Sequence, residues 1–131
     1  IEQKKETLEH RDYVQEMQVE TAKDGYQFTF VIADIDGYEG ENSINQTLYH
    51  VQAENLEMAA ALYQRENERQ LDFGHMKQIA ADMTGQEIHP LLLELGHRSG
   101  IPKSVPVMME SDGAKYILRE MIKAAYGRES L

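Results

Sequence analysis

The chain contains no cysteine. That removes disulfides, thiolate zinc sites and cysteine nucleophiles from the range of chemistry, and it fits a reducing cytoplasm, the compartment expected for this chain. No apolar run approaches the roughly 20 residues that a membrane-spanning helix requires. The opening Ile1–Glu6 (IEQKKE) is charged and lacks the apolar centre of a signal peptide. Because the first residue is not Met, a short leader or tag is expected to be missing before Ile1. No Walker A loop, GxGxxG turn, GxSxG elbow or HExxH pair occurs. The histidines His10, His50, His75, His89 and His97 fall at no metal-ligand spacing, so each is expected to be structural.

Basic residues are also scarce: 13 Lys and Arg stand against 23 Asp and Glu, for a net charge of −10. Direct binding to nucleic acid draws its affinity from Lys and Arg releasing counterions, so it is not expected. The same sign repels anionic lipid and favours a basic protein partner or a bound cation. The deficit is uneven. Residues 1–54 hold 12 acids and 4 bases, whereas residues 55–131 hold 11 acids and 9 bases. From Asp24 to Glu54 there are six acids and no Lys or Arg.

What is present suits one globular domain. A chain of 131 residues, 41% hydrophobic and 27% charged, is long enough to bury a core without staples. Residues 1–12 are polar and read as a helical or flexible arm. Across 13–53 apolar and polar residues alternate, the signature of half-buried strands. Tyr26, Phe28, Phe30 and Ile32 share one face, and Asp24-Gly25 is a hairpin turn signal. A third strand over 46–53 completes a three-stranded antiparallel β-meander.

From 55 to 127 the spacing turns helical. Asn55 is placed to cap a helix over 56–70. Asp72 would open a second, with Met76, Ile79, Ala80 and Met83 three and four apart up to Gly85. Pro90 would open a third through Leu91, Leu92 and Leu95. Residues 101–110, with Pro102 and Pro106, are expected to be extended but not a central strand. Ser111 or Asp112 would cap a last helix carrying Ala114, Ile117, Leu118, Met121, Ile122 and Ala125, stopped by Gly127. The fold class expected is therefore α+β, a meander packed against about four C-terminal helices.

One loop stands out. Asp34-Ile35-Asp36-Gly37 follows the apolar run 28–33, and Glu39 and Glu41 lie close behind. Two carboxylates at a strand rim are the oxygen ligands that Mg2+ and Ca2+ prefer, which makes Asp34 and Asp36 the candidate metal ligands. The segment resembles the hhhDxDG opening of haloacid-dehalogenase-type phosphatases. In that family the first Asp is the nucleophile and the second the acid/base, although Tyr38 stands in this chain where the family carries Thr. Read without a cation, Asp34, Asp36, Glu39 and Glu41 form an acidic knob suited to a basic protein surface.

The leading functional expectation is accordingly a small acidic protein-interaction module of bacterial or phage source, an inhibitor docking on the nucleic-acid-binding face of another protein. The alternatives are a divalent-metal-dependent enzyme using Asp34 and Asp36, and a homo-oligomeric assembly protein seamed along the 112–127 helix.

Overall fold

A computed structural model describes residues 11–34 and 45–127. The strand β1 (Arg11–Ala22) runs through the middle of the sheet. On one side it pairs antiparallel with β2 (Gly25–Asp34), which pairs antiparallel with β3 (Asn45–Ala53). Gly25 makes the β1–β2 turn possible. Its φ is +147°, and a Cβ on it would lie 2.5 Å from the carbonyl oxygen of Ala53, so no side chain fits there.

The other side of β1 is shared by two strands in succession. Residues Arg11–Tyr13 pair in parallel with β4 (Gln70–Asp72), and Glu16–Glu20 pair in parallel with β5 (Gln78–Asp82). The change of partner coincides with a β-bulge at Gln15, whose carbonyl accepts the Lys77 N–H at 2.7 Å. The extra residue also explains why Val14 and Met17, three apart, both point inward: they oppose Ile32 and Phe30, which are two apart. Beyond β5 the sheet continues with β6 (Pro106–Met109), parallel to β5, and β7 (Ala114–Ile117), antiparallel to β6.

Three helices cover one face. The first, α1 (Leu56–Asn67), links β3 to β4; α2 (His89–His97) links β5 to β6; α3 (Leu118–Tyr126) follows β7 directly. Parallel neighbours need crossovers of this kind. The core lies between these helices and the inward rows of the strands. It includes Met17, Phe28, Phe30, Ile79 and Val107 from the sheet and Leu56, Ala59, Leu91, Leu95 and Leu118 from the helices. Phe28 and Phe30 stack with centroids 5.9 Å apart, and Phe73, from the β4–β5 connection, meets Phe30 edge-on at 5.8 Å. The opposite face, with Glu16, Gln18, Glu20, Gln27, Thr29 and Asp82, is left to solvent.

The expected fold class is corrected by this architecture. The meander exists, but it supplies three of seven strands in a mixed sheet, and among the described residues three helices stand where about four were expected. The helix expected over 72–85 is instead β4's end, a connection and β5. Its inward residues Ile79, Ala81 and Met83 alternate, while Ala80 on the other face is also buried. A strand centre buried on both faces is what a parallel neighbour on each side favours, and it mimics a helical stripe over so short a run. Residues 106–109 are interior to the sheet, with Pro106 tolerated because it is the strand's first residue. Residues 114–117, expected to begin the last helix, form β7. Asp112 caps a turn instead: Ala114 N–H donates to its Oδ1 at 3.0 Å and Gly113, at φ +68°, closes the hairpin.

Candidate functional site

A groove of about 620 Å3 lies between the start of α1 and one side of α2. Its floor is Tyr26, Leu91 and Pro90; its rim carries Glu54, Glu57, Glu94, His97 and Arg98. The key to its shape is Glu94. Both of its carboxylate oxygens point at the first turn of α1, accepting Leu56 N–H at 2.9 Å and Glu57 N–H at 2.7 Å. Asn55 Oδ1 accepts Met58 N–H at 2.8 Å, the cap that its place before an apolar stripe implied. Three amides that the helix itself cannot satisfy are thereby taken, and a carboxylate sits at the positive end of the helix dipole. The N-terminus of α1 is thus filled from within the protein. The Arg98 guanidinium lies over the Phe73 ring, 5.5 Å from its centroid, and His97 Nδ1 donates to the Leu93 carbonyl at 3.0 Å. Tyr26 donates to the Glu87 carbonyl at 3.1 Å, and burial pushes its pKa up. Glu54 and Glu57 are the carboxylates left facing the groove.

A second polar cluster fastens the end of α1 to the start of β1. Asp12 accepts from the Tyr63 hydroxyl through one oxygen and from Arg69 Nε at 2.6 Å through the other, while Arg11 pairs with Asp72 at 3.5 Å. Burial, then the Asp12 hydrogen bond and charge, drive the Tyr63 phenol well above its ordinary pKa. Tyr49, edge-on to Tyr63 at 4.7 Å, donates to Glu66 Oε1 at 2.7 Å and is pushed up to about 12, first by burial and then by that carboxylate. The arrangement ties the α1–β4 crossover onto the sheet.

Of the acidic loop singled out from sequence, one residue falls among the described ones. Asp34 is the last residue of β2, its backbone paired with Asn45, whereas Asp36, Glu39 and Glu41 lie outside the described residues. Among the described residues no group of three or more His, Asp or Glu side chains is placed to hold a metal ion. The residues that organise the groove, Glu94 and Tyr26, gave little sequence signal. Glu94 reads as the solvent side of a short helix, and Tyr26 as one more inward aromatic. Asn55, as a helix cap, and Pro90, as a helix opener, marked this region.

Residues 4–123 match the family described as the spore germination protein N-terminal domain. The chain belongs to that family. The match spans the sheet, α1, α2 and the first two-thirds of α3, so it describes the fold and not a local motif. No curated protein matches the chain, and no solved structure does.

Family membership corrects the functional expectation. An acidic inhibitor of phage or mobile-element origin, acting as a protein-interaction module, is replaced by a domain of a spore germination protein. The charge imbalance that suggested an inhibitor is real, but charge is a property of the surface and carries no information about lineage. The apolar stripe of α3 has a use within the chain: Leu118 is fully buried, and Met121, Ile122, Ala125 and Tyr126 pack against the core. No helix among the described residues is long and apolar enough to cross a membrane.

Proposed function

We propose that this domain is part of a germinant receptor component that works at a spore membrane. The observation that carries the reading is the family match over 120 consecutive positions, residues 4–123. In this reading the sheet and its three helices stand on an aqueous side of that membrane, and attachment comes from other segments or from neighbouring subunits. The helix-lined groove between α1 and α2, with Glu54, Glu57, His97 and Arg98 at its mouth, is the concave surface best formed to meet such a neighbour or a small polar molecule.

The reading is tested in a spore-forming host by removing the residues 11–127 in frame from the gene and scoring germination of the purified spores on nutrient germinants. Slowed or abolished response, with normal spore yield, is expected. Spores that respond at the parental rate would refute the assignment. Fractionation of spores carrying a tagged protein checks the location: recovery with the membrane fraction is expected, and recovery solely in the soluble core contents would contradict it.

A further inference from the structure

Acid dominates this chain, yet residues 95–109 form its longest run without Asp or Glu. That run leaves the end of α2, turns at Gly100 and enters β6. It walls one side of a pocket of about 370 Å3 lined by Gly96, Lys103, Arg119, Ile122 and Lys123. Every charged residue in that lining is a cation.

The fold brings them together through backbone bonds. Leu118 N–H donates to the Val105 carbonyl at 3.0 Å and Arg119 N–H to the Lys103 carbonyl at 2.8 Å, so the first turn of α3 is sewn to the segment bearing Lys103. Arg119 and Lys123 are four apart and project from the same side of α3. Gly96 faces Ile122 across the helix seam: a Cβ on it would lie 3.4 Å from Ile122 Cδ1. Lys103 Nζ donates to the carbonyls of Arg98 at 3.2 Å and Ile101 at 2.9 Å, which fixes the ammonium and leaves one of its three donors over. Partial burial pushes its pKa down.

Three cations held at one place repel one another, and ion pairing would normally relieve this. The two ion pairs among the described residues are Arg11–Asp72 and Arg69–Asp12, elsewhere in the fold. Glu120, the acid nearest in sequence to Arg119, lines the adjacent apolar groove instead. In a protein with ten more acids than bases, an acid-free pocket with three cations is a local inversion of the overall charge.

We propose that this pocket binds a phosphate ester, its oxygens taken by Lys103, Arg119 and Lys123 and its organic part lying on Ile122 and the Gly96 backbone. Arg and Lys donors suit a dianionic oxyanion, and the volume admits a phosphate with a few carbons. The same chemistry is offered by a soluble phosphate ester and by the headgroup of an anionic lipid. Screening confines the long-range field of the remaining acids to about 10 Å at 0.1 M salt, so overall charge does not forbid the site. The site rests on these residues alone and is independent of the germination assignment.

The test is a titration of the full chain with glycerol 3-phosphate, followed by 1H–15N spectra at low salt. Shifts are expected at Gly96, Lys103 and 119–123. The double variant Arg119→Gln/Lys123→Gln, at exposed positions, should bind at least about tenfold more weakly, the loss of one charge-assisted hydrogen bond or more. Lys115→Gln on β7 should bind as the parent does. A second arm measures sedimentation with phosphatidylcholine vesicles with and without phosphatidic acid. Binding that needs phosphatidic acid and is lost in the double variant identifies a lipid headgroup as the source; soluble binding without it identifies a free ester. No binding in either arm, or binding that the double variant leaves intact, overturns the proposal.

Discussion

The two wings of the sheet are held together by different means. On one side of β1, strands of 12, 10 and 9 residues pair antiparallel along nearly their full length. They carry an inward row of Tyr26, Phe28, Phe30 and Ile32. On the other side, β5, β6 and β7 have 5, 4 and 4 residues, and two of the junctions are parallel. There the ladder is too short to do much by itself, and cover comes from α2 and α3 through Leu91, Leu92, Leu95 and Leu118. The contrast extends to charge: the excess of acid belongs to the first 54 residues, and the acid-free run 95–109 to the second wing. Long local ladders make a stiff wing. Short strands held by helices leave pockets along the helix seams, and the cationic pocket is found on that side.

The contrast can be broken most forcefully in the first wing. Phe30 is fully buried and touches Phe28, Tyr49 and Phe73. Phe30→Ala is expected to cost about 3–5 kcal/mol in urea unfolding; a loss under about 1 kcal/mol would mean that the aromatic row does not hold the long strands together. Next in size is Glu94→Ala, which removes both acceptors from the first turn of α1. A loss of about 1–3 kcal/mol is expected, together with faster amide exchange at Leu56 and Glu57, and no change there would dispose of the cap.

A pH series sharpens the comparison further, because the raised tyrosines sit where α1 is clamped to the long strands. Tyr49 is pushed up to about 12, above the value near 10 of an unfolded tyrosine, and Tyr63 is shifted the same way. The unfolded chain therefore loses these protons first. Their contribution is complete below about pH 10 and disappears as pH rises toward 12. Unfolding midpoints should fall across that window, and Tyr49→Phe should flatten the fall; an equally steep series in the variant would show that the Tyr49 phenol is not its source. The smallest effect is expected at Gly96→Ala in the second wing. The added methyl would sit in ordinary contact with Ile122, 3.4 Å away, and alanine favours a helix by up to about 1 kcal/mol. A gain of a few tenths to about 1 kcal/mol is expected in thermal unfolding, and a clear loss would show the α2–α3 seam to be too tight for a methyl group.

Reading the sequence reached the first wing and lost the second, for a physical reason. Alternation over ten residues between a wet face and a dry face is unambiguous, so 26–33 declared itself a strand. Gln78–Asp82 is five residues long with three consecutive buried residues, Ile79–Ala81, and in such a window Met76, Ile79 and Met83 satisfy a helical spacing as well as a strand. Asp112-Gly113 is the same dipeptide that marked the turn at Asp24-Gly25, yet the strong stripe of α3 just beyond it drew the helix start five or six residues too early. The helix cap Asn55 and the first-turn proline Pro90 were legible because they act locally. Glu94 was not, since its partners are 37 and 38 positions away. The cationic pocket was hidden likewise: its members come from two separate segments, and only the acid-free run 95–109 hinted at one of them.

The central claim is that β5 completes a mixed sheet against β1, so that 78–82 is a strand and not a helix. Nuclear Overhauser spectroscopy on the labelled chain addresses it directly. Cross-strand contacts joining Met17 to Ile79 and Ile79 to Val107 are expected, with slow amide exchange at Ile79–Ala81. Strong sequential amide–amide contacts through 76–83, with none to Met17, would show a helix there and contradict the mixed sheet.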